Sequence, residues 1–241
     1  MSDQTHMAHA LRLAARGVGN VWPNPAVGCV LVRAGQIVGR GWTQPGGRPH
    51  AERRALDQAG PLARGATAYV TLEPCAHHGH TPPCAEGLIA AGVTRVVTAL
   101  TDPDPRVSGK GHAMLRAAGI EVVEGVMTSE ATRLNAGFLK RVTQGLPFVT
   151  LKLATTLDGR IATASGESRW ITGAPARRHV HLMRLTHDAA SLGRCSWSGE
   201  KLGDDGRLRR LAGEGPEGRA YRSSEACPRP QGCAIKAAGA A

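Results

Sequence analysis

Aromatic residues are scarce. They make up 3% of the 241-residue chain, with two Phe, two Tyr and four Trp, so the stacking platforms on which single-stranded nucleic acids usually rest are few. Runs of five or six Lys/Arg are also missing, although 30 basic against 19 acidic residues give a net charge of +11. Charge scattered in this way is compatible with nucleic acid, with phosphorylated small molecules or with a merely Arg-rich composition, and does not choose among them. Long apolar runs are absent. The most apolar stretches, residues 26–32 and 93–100, fall far short of the roughly 20 residues that a membrane span requires. The opening Met1-Ser2-Asp3-Gln4-Thr5-His6 lacks the basic start and apolar stretch of a secretory signal, so a cytoplasmic location is expected. Six cysteines in so long a chain do not make a disulfide scaffold. Two of them, Cys75 and Cys84, sit among histidines, which in a reducing compartment points to metal before it points to a bridge. A hydrophobic fraction of 41% excludes a wholly disordered chain, and the length suffices to bury a core.

The patterning predicts a helix over residues 7–16, with Met7, Leu11 and Ala14 on one face and glycines at 17 and 19 to end it. Strands follow over 27–33 and 36–42, joined by the short turn Ala34-Gly35. Helices are expected over 50–59, 85–91 and 110–118, alternating with strands over 69–72, 95–100 and 120–123. A last helix over 129–144 closes the unit. An initial hairpin followed by alternating strands and helices argues for a three-layer α/β domain with a mixed sheet whose second half is mostly parallel. A new start follows Gly145-Leu146-Pro147, with a strand over 148–153, a turn at Asp158-Gly159 and a helix over 174–186 that has Pro175 in its first turn. From residue 191 to 241 there is no Val or Phe, only four Leu and one Ile, and nine Gly. Neither structural period persists there, so a disordered tail is expected.

The chemistry concentrates in His50-Ala51-Glu52, Pro74-Cys75 and Cys84. One imidazole and two thiolates suit Zn²⁺, and three protein ligands leave a fourth position for water, the arrangement of a catalytic zinc site. Water on such a zinc ionises with a pKa of about 7. Glu52, two residues after the histidine, can stand beside the metal and carry a proton from that water to a departing amine. His-x-Glu with Pro-Cys-x-x-Cys marks zinc nucleobase deaminases. Here eight residues separate Cys75 from Cys84 instead of two. Both ligand groups would stand at helix N-termini, where the dipole favours thiolate. His77, His78 and His80 compete as ligands, but a fourth protein ligand would close the water position, so a loop role is preferred. Cys29 reads as a core residue. Asn24 reads equally as a substrate contact or a turn former.

Together, Pro23-Asn24-Pro25-Ala26-Val27-Gly28, His50-Ala51-Glu52, the segment from Thr71-Leu72-Glu73-Pro74-Cys75 to Thr81-Pro82-Pro83-Cys84, and Asp102-Pro103-Asp104-Pro105 resemble the deaminase half of the bifunctional RibD family of riboflavin biosynthesis. The long insertion ending in Thr-Pro-Pro-Cys distinguishes that family from cytidine and tRNA-adenosine deaminases. Lys152-Leu153-Ala154, Leu157-Asp158-Gly159-Arg160 and residues 165–172 resemble the start of its reductase half. The resemblance implies a cytidine-deaminase-like fold, with His50, Cys75 and Cys84 on zinc and Glu52 as the proton shuttle. It implies a phosphoribosylated pyrimidine as substrate, NADPH beside Ala154 and Trp170, and substrate beside Ser168 and Arg184. Arg184 is apt for a phosphate as a planar cation with several donors, and reads otherwise as a solvated charge on its helix.

The expected division is a deaminase domain over 1–145, the incomplete start of a reductase domain over 146–190, and an atypical tail over 191–241, where Cys195, Cys227 and Cys233 are incidental. Zinc-dependent deamination leads. An intact deaminase–reductase is one alternative, and a basic RNA-binding protein with a structural zinc is the other. No membrane partner is expected, nucleic acid is not favoured, and an inactive reductase half with exposed apolar surface would invite homo-oligomers.

Overall fold

The computed structural model describes residues 2–189 apart from 80 and 106. The expected tail over 191–241, and His80 as a competing ligand, lie outside the described residues. Helix α1 (Asp3–Ala14) begins four residues before the predicted start, because Ser2 caps it: its hydroxyl accepts the Thr5 N–H at 3.3 Å. Asp3 then reaches sideways, taking hydrogen bonds from Arg95 at 2.9 and 2.8 Å and from the Tyr69 hydroxyl at 2.9 Å, which ties α1 to the sheet.

Strands β1 (Gly28–Arg33) and β2 (Gln36–Trp42) form the expected hairpin. Its two turn residues, Ala34 and Gly35, both have positive φ, 48° and 76°, the conformation whose twist suits a two-residue connection. With β3 (Thr67–Val70), β4 (Arg95–Thr98) and β5 (Glu121–Val123) they make one sheet in the order β2-β1-β3-β4-β5. The hairpin and the β1–β3 pair are antiparallel, whereas β3–β4 and β4–β5 are parallel. The parallel pairs are connected through α3 (Cys84–Ala90) and α4 (Lys110–Ala117).

Both faces of β1 are buried. Cys29 and Leu31 pack with Ala55 of α2 (Ala51–Ala59), Leu88 of α3 and Leu115 of α4. Val30 and Val32 pack with Met7, Ala10 and Leu13 of α1 and Ala131 of α5 (Thr128–Leu134). This is the predicted three-layer arrangement, with Cys29 in the core as expected. Two glycines permit it. An ideal Cβ on Gly28 would stand 1.9 Å from the Ala10 carbonyl oxygen, and one on Gly41 would stand 2.0 Å from that of Ala51. Helices α1 and α2 therefore lie directly on the backbone of the hairpin.

The helix predicted over 129–144 is two helices, α5 and α6 (Ala136–Gln144), broken at Asn135. The buried Asn135 side chain accepts the Ala26 N–H at 2.9 Å and donates to the Ala26 carbonyl at 3.0 Å. The Asn135 backbone, at φ −103° and ψ 19°, leaves helical geometry at this anchor. The strand predicted over 148–153 is absent. Residues 147–156 are irregular, and Phe148, Val149, Leu151 and Leu153 are exposed. Their apolar pattern has no neighbouring strand to pair with among the described residues. The turn at Asp158-Gly159 and helix α7 (Ala174–Leu185), with Pro175 in its first turn, follow the expectation. Residues Met1–Asp188 form one compact unit. Among the described residues no helix is long and apolar enough to cross a membrane.

Asn135→Ala leaves a buried N–H and carbonyl of Ala26 unpaired. It is expected to lower the stability of the fold by about 1–3 kcal/mol, read as a lower denaturant midpoint. An unchanged midpoint would show that the bond pair contributes nothing.

Candidate metal centre

His50 is the N-cap of α2, in extended backbone conformation at φ −69°, ψ 161°. Glu52 follows in the first turn and is buried against the sheet, 4% exposed. Cys75 lies in the segment leaving β3, and Cys84 is the first residue of α3. Nδ1 of His50, Sγ of Cys75 and Sγ of Cys84 all lie within 4.8 Å of one another, a cluster drawn from three separate stretches of chain. The Cys84 and Cys75 sulfurs stand 3.4 and 3.8 Å from His50 Nδ1. A tetrahedral zinc, with Zn–S of about 2.3 Å and Zn–N of about 2.0–2.1 Å, spaces its donors roughly 3.5–3.8 Å apart. The donor set fits that ion in chemistry, and its two sulfur-to-nitrogen distances lie close to that spacing.

The three donors and Glu52 shift one another's proton affinity. Hydrogen bonding from the Cys84 thiol pushes Cys75 down to about 4 against the effect of burial, with help from His50 and from the Cys84 backbone N–H at 3.2 Å. Cys84 is correspondingly pushed well above the ordinary thiol value by its bond to Cys75 and by burial. The bond to Cys75 raises His50, which burial opposes. Burial, reinforced by the Cys75 charge, raises Glu52 to about 7. A carboxyl that titrates near neutrality can accept and return a proton.

The other predicted residues are placed as follows. His77 and His78 are exposed, and His78 Nε2 lies 3.4 Å from Glu86 of α3. Among the described residues the group that could hold a metal ion is His50, Cys75 and Cys84. Asn24 Nδ2 donates to the Gly47 carbonyl at 2.7 Å, so its amide nitrogen braces a turn. Ala154 is half-buried in the irregular segment, Ser168 and Trp170 are exposed ahead of α7, and Arg184 lies in the last turn of α7. Arg177 covers the Trp170 ring at 4.2 Å.

Two residues of this region were not singled out for a role by sequence reasoning. Asp102, after β4, is buried, and burial pushes it up to about 6 although the Asp104 N–H, at 2.9 Å, opposes that. Glu73, two positions before Cys75, is also buried and accepts four backbone N–H groups. The available clue for both was an acidic residue beside an apolar strand end, Val70-Thr71-Leu72-Glu73 and Ala99-Leu100-Thr101-Asp102.

Comparison with known proteins gives the same picture. Residues 1–100 match the cytidine and deoxycytidylate deaminase zinc-binding region, and residues 147–229 match the RibD C-terminal domain. The riboflavin biosynthesis protein RibD of Escherichia coli is 58% identical over 189 residues, covering 78% of this chain and 52% of the relative. That of Haemophilus influenzae is 59% identical over 187 residues, covering 78% and 50%. The chain thus spans about half the length of these relatives. Among solved structures, Acinetobacter baumannii RibD superposes with a TM-score of 0.71 at 55% identity, covering 76% of this chain and 52% of that one. A Thermotoga maritima diaminohydroxyphosphoribosylaminopyrimidine deaminase/5-amino-6-(5-phosphoribosylamino)uracil reductase gives 0.72 at 48% identity, with coverage of 76% and 52%.

In metal-stripped protein at about pH 6, iodoacetamide is expected to alkylate Cys75 well ahead of Cys84 and Cys29, because only a thiolate is nucleophilic and both of the others are pushed up by their surroundings. Mass mapping of the modified peptides reads the order. Equal labelling of Cys75 and Cys84 would contradict the charge distribution.

Proposed function

We propose that the chain, 58% identical over 189 residues to a riboflavin biosynthesis protein RibD, hydrolytically deaminates 2,5-diamino-6-(5-phosphoribosylamino)pyrimidin-4-one to 5-amino-6-(5-phosphoribosylamino)uracil. The observation that carries this reading is the convergence of His50, Cys75 and Cys84 within 4.8 Å, with the buried Glu52 next in chain to the His50–Ala51 pair. His50, Cys75 and Cys84 would hold the zinc. When bound, zinc supplies the Lewis acidity that makes water nucleophilic near neutral pH.

The chain's own residues do the rest. Glu52 takes a proton from the attacking water, gives one to the ring nitrogen next to the carbon bearing the 2-amino group, and passes the second to the amine. The C–O bond forms, the C–N bond breaks, and ammonia leaves. Burial of Glu52 keeps bulk water from short-circuiting that transfer and supports a carboxyl that exchanges its proton near neutral pH. The thiolate character of Cys75 makes it a ligand that needs no deprotonation at neutral pH.

Residues 1–145 would carry the deaminase and 146–190 the start of the reductase domain, with Ala154 and Trp170 toward NADPH and Ser168 and Arg184 toward the substrate. A second reading, an intact bifunctional enzyme that also reduces the product's ribosyl group, is favoured by the match of residues 147–229 to the RibD C-terminal domain. Saturable quenching of tryptophan fluorescence by NADPH separates it from the deaminase-only reading.

Glu52→Gln is expected to reduce ammonia release from the diaminopyrimidine nucleotide by about 100- to 10,000-fold while zinc content stays at the wild-type level. Turnover that survives the substitution would remove Glu52 from the proton route.

A further inference from the structure

Glu73 lies outside the ligand set and outside the proton route, yet it is the most fully engaged side chain near them. Its carboxylate is buried among backbone donors. Oε2 accepts the N–H of Asp102 at 3.1 Å and of Gly109 at 2.9 Å, and Oε1 accepts those of Gly111 at 2.9 Å and His112 at 3.2 Å. Gly109 is the N-cap of α4 and has no side chain with which to cap it, while Gly111 and His112 lie in its first turn. Glu73 thus caps α4 from a different part of the chain, where an anion is also favoured by the helix dipole.

The joint is rigid on its backbone side as well. The Glu73 N–H donates to the Leu100 carbonyl at 2.8 Å. The Pro74 carbonyl oxygen presses so closely on α4 that an ideal Cβ on Gly111 would stand 2.0 Å from it. The next residue is Cys75. On the far side of the joint is the buried Asp102, whose N–H Glu73 holds.

We propose that Glu73 is a positioning residue that fixes the Cys75 ligand and the Asp102 turn relative to each other by capping α4 from another part of the chain, so that metal geometry is set by one buried carboxylate. The proposal rests on the reading of His50, Cys75 and Cys84 as metal ligands. Groups that orient a ligand from behind typically change metal affinity when they are removed.

The test uses the full-length chain, stripped and reloaded with cobalt(II), and compares wild type with Glu73→Gln, Glu73→Ala and Asn135→Ala. The last removes an equally buried pair of side-chain to backbone bonds at a distance in sequence from the ligands, and controls for stability alone. Glu73→Gln keeps one acceptor oxygen and loses the charge. Cobalt affinity, measured by competition with a chelator, is expected to fall about 10–100-fold in the Glu73 variants, with a shifted thiolate-to-cobalt band. Asn135→Ala should keep wild-type affinity and spectrum while unfolding at lower denaturant. Wild-type affinity and spectrum in Glu73→Gln would overturn the proposal. So would an equal loss in Asn135→Ala, or a failure of both Glu73 variants to fold, since each marks a purely structural role. If wild type itself takes up no cobalt, the metal reading fails first and the proposal falls with it.

Discussion

Two thiols, an imidazole and a carboxyl are crowded into one largely buried place, and that crowding is the constraint on which the structure depends. The three donors lie within 4.8 Å of one another, and Glu52 is drawn into the same electrostatic cluster. These groups compete for charge. Cys75 takes the negative charge, while Cys84 is held as a thiol and Glu52 is raised toward neutrality. A divalent ion removes the conflict, because it favours every deprotonated donor at once. The donor set of His50, Cys75 and Cys84 therefore suits a shared cation.

That specification comes from close packing around the hairpin. Gly41 lets α2 lie directly on β2, which places His50 and Glu52 at the sheet, and Gly28 lets α1 do the same from the other face. Thr71, just beyond β3, uses its hydroxyl to accept the Gly28 N–H at 3.0 Å, so the segment leading to Cys75 starts from a fixed register. Further along, the α4 N-terminus is joined to the same segment through Glu73. His50, Cys75 and Cys84 are brought together by two close backbone approaches, at Gly28 and Gly41, and by the side-chain to backbone bonds of Thr71 and Glu73.

Much of this was legible in the residues. The hairpin could be placed because Ala34-Gly35 separates two β-rich runs, and α2 because His50 opens an apolar-periodic stretch that Gly60 stops. The cluster of His50, Cys75 and Cys84 could be anticipated because His-x-Glu and paired cysteines have few other reasons to occur together. Other features were hidden because their causes are distant in sequence. Strand β3 ends at Val70, two residues before the apolar pattern does, since Thr71 turns to bond Gly28. Asn135 interrupts a continuous helical pattern because of Ala26, over a hundred positions away. Glu73 carries no periodic signature, because its four partners are backbone groups of another loop and helix. In residues 148–153 the apolar pattern is real, but a strand needs a neighbour as well as a pattern.

The central claim is a three-ligand centre formed by His50, Cys75 and Cys84, and X-ray absorption at the zinc edge of the purified protein addresses it most directly. Two sulfur donors at about 2.3 Å and two lighter donors at about 2.0–2.1 Å are the expected coordination. A shell of four sulfurs, a shell without sulfur, or protein that binds no zinc at all would contradict it.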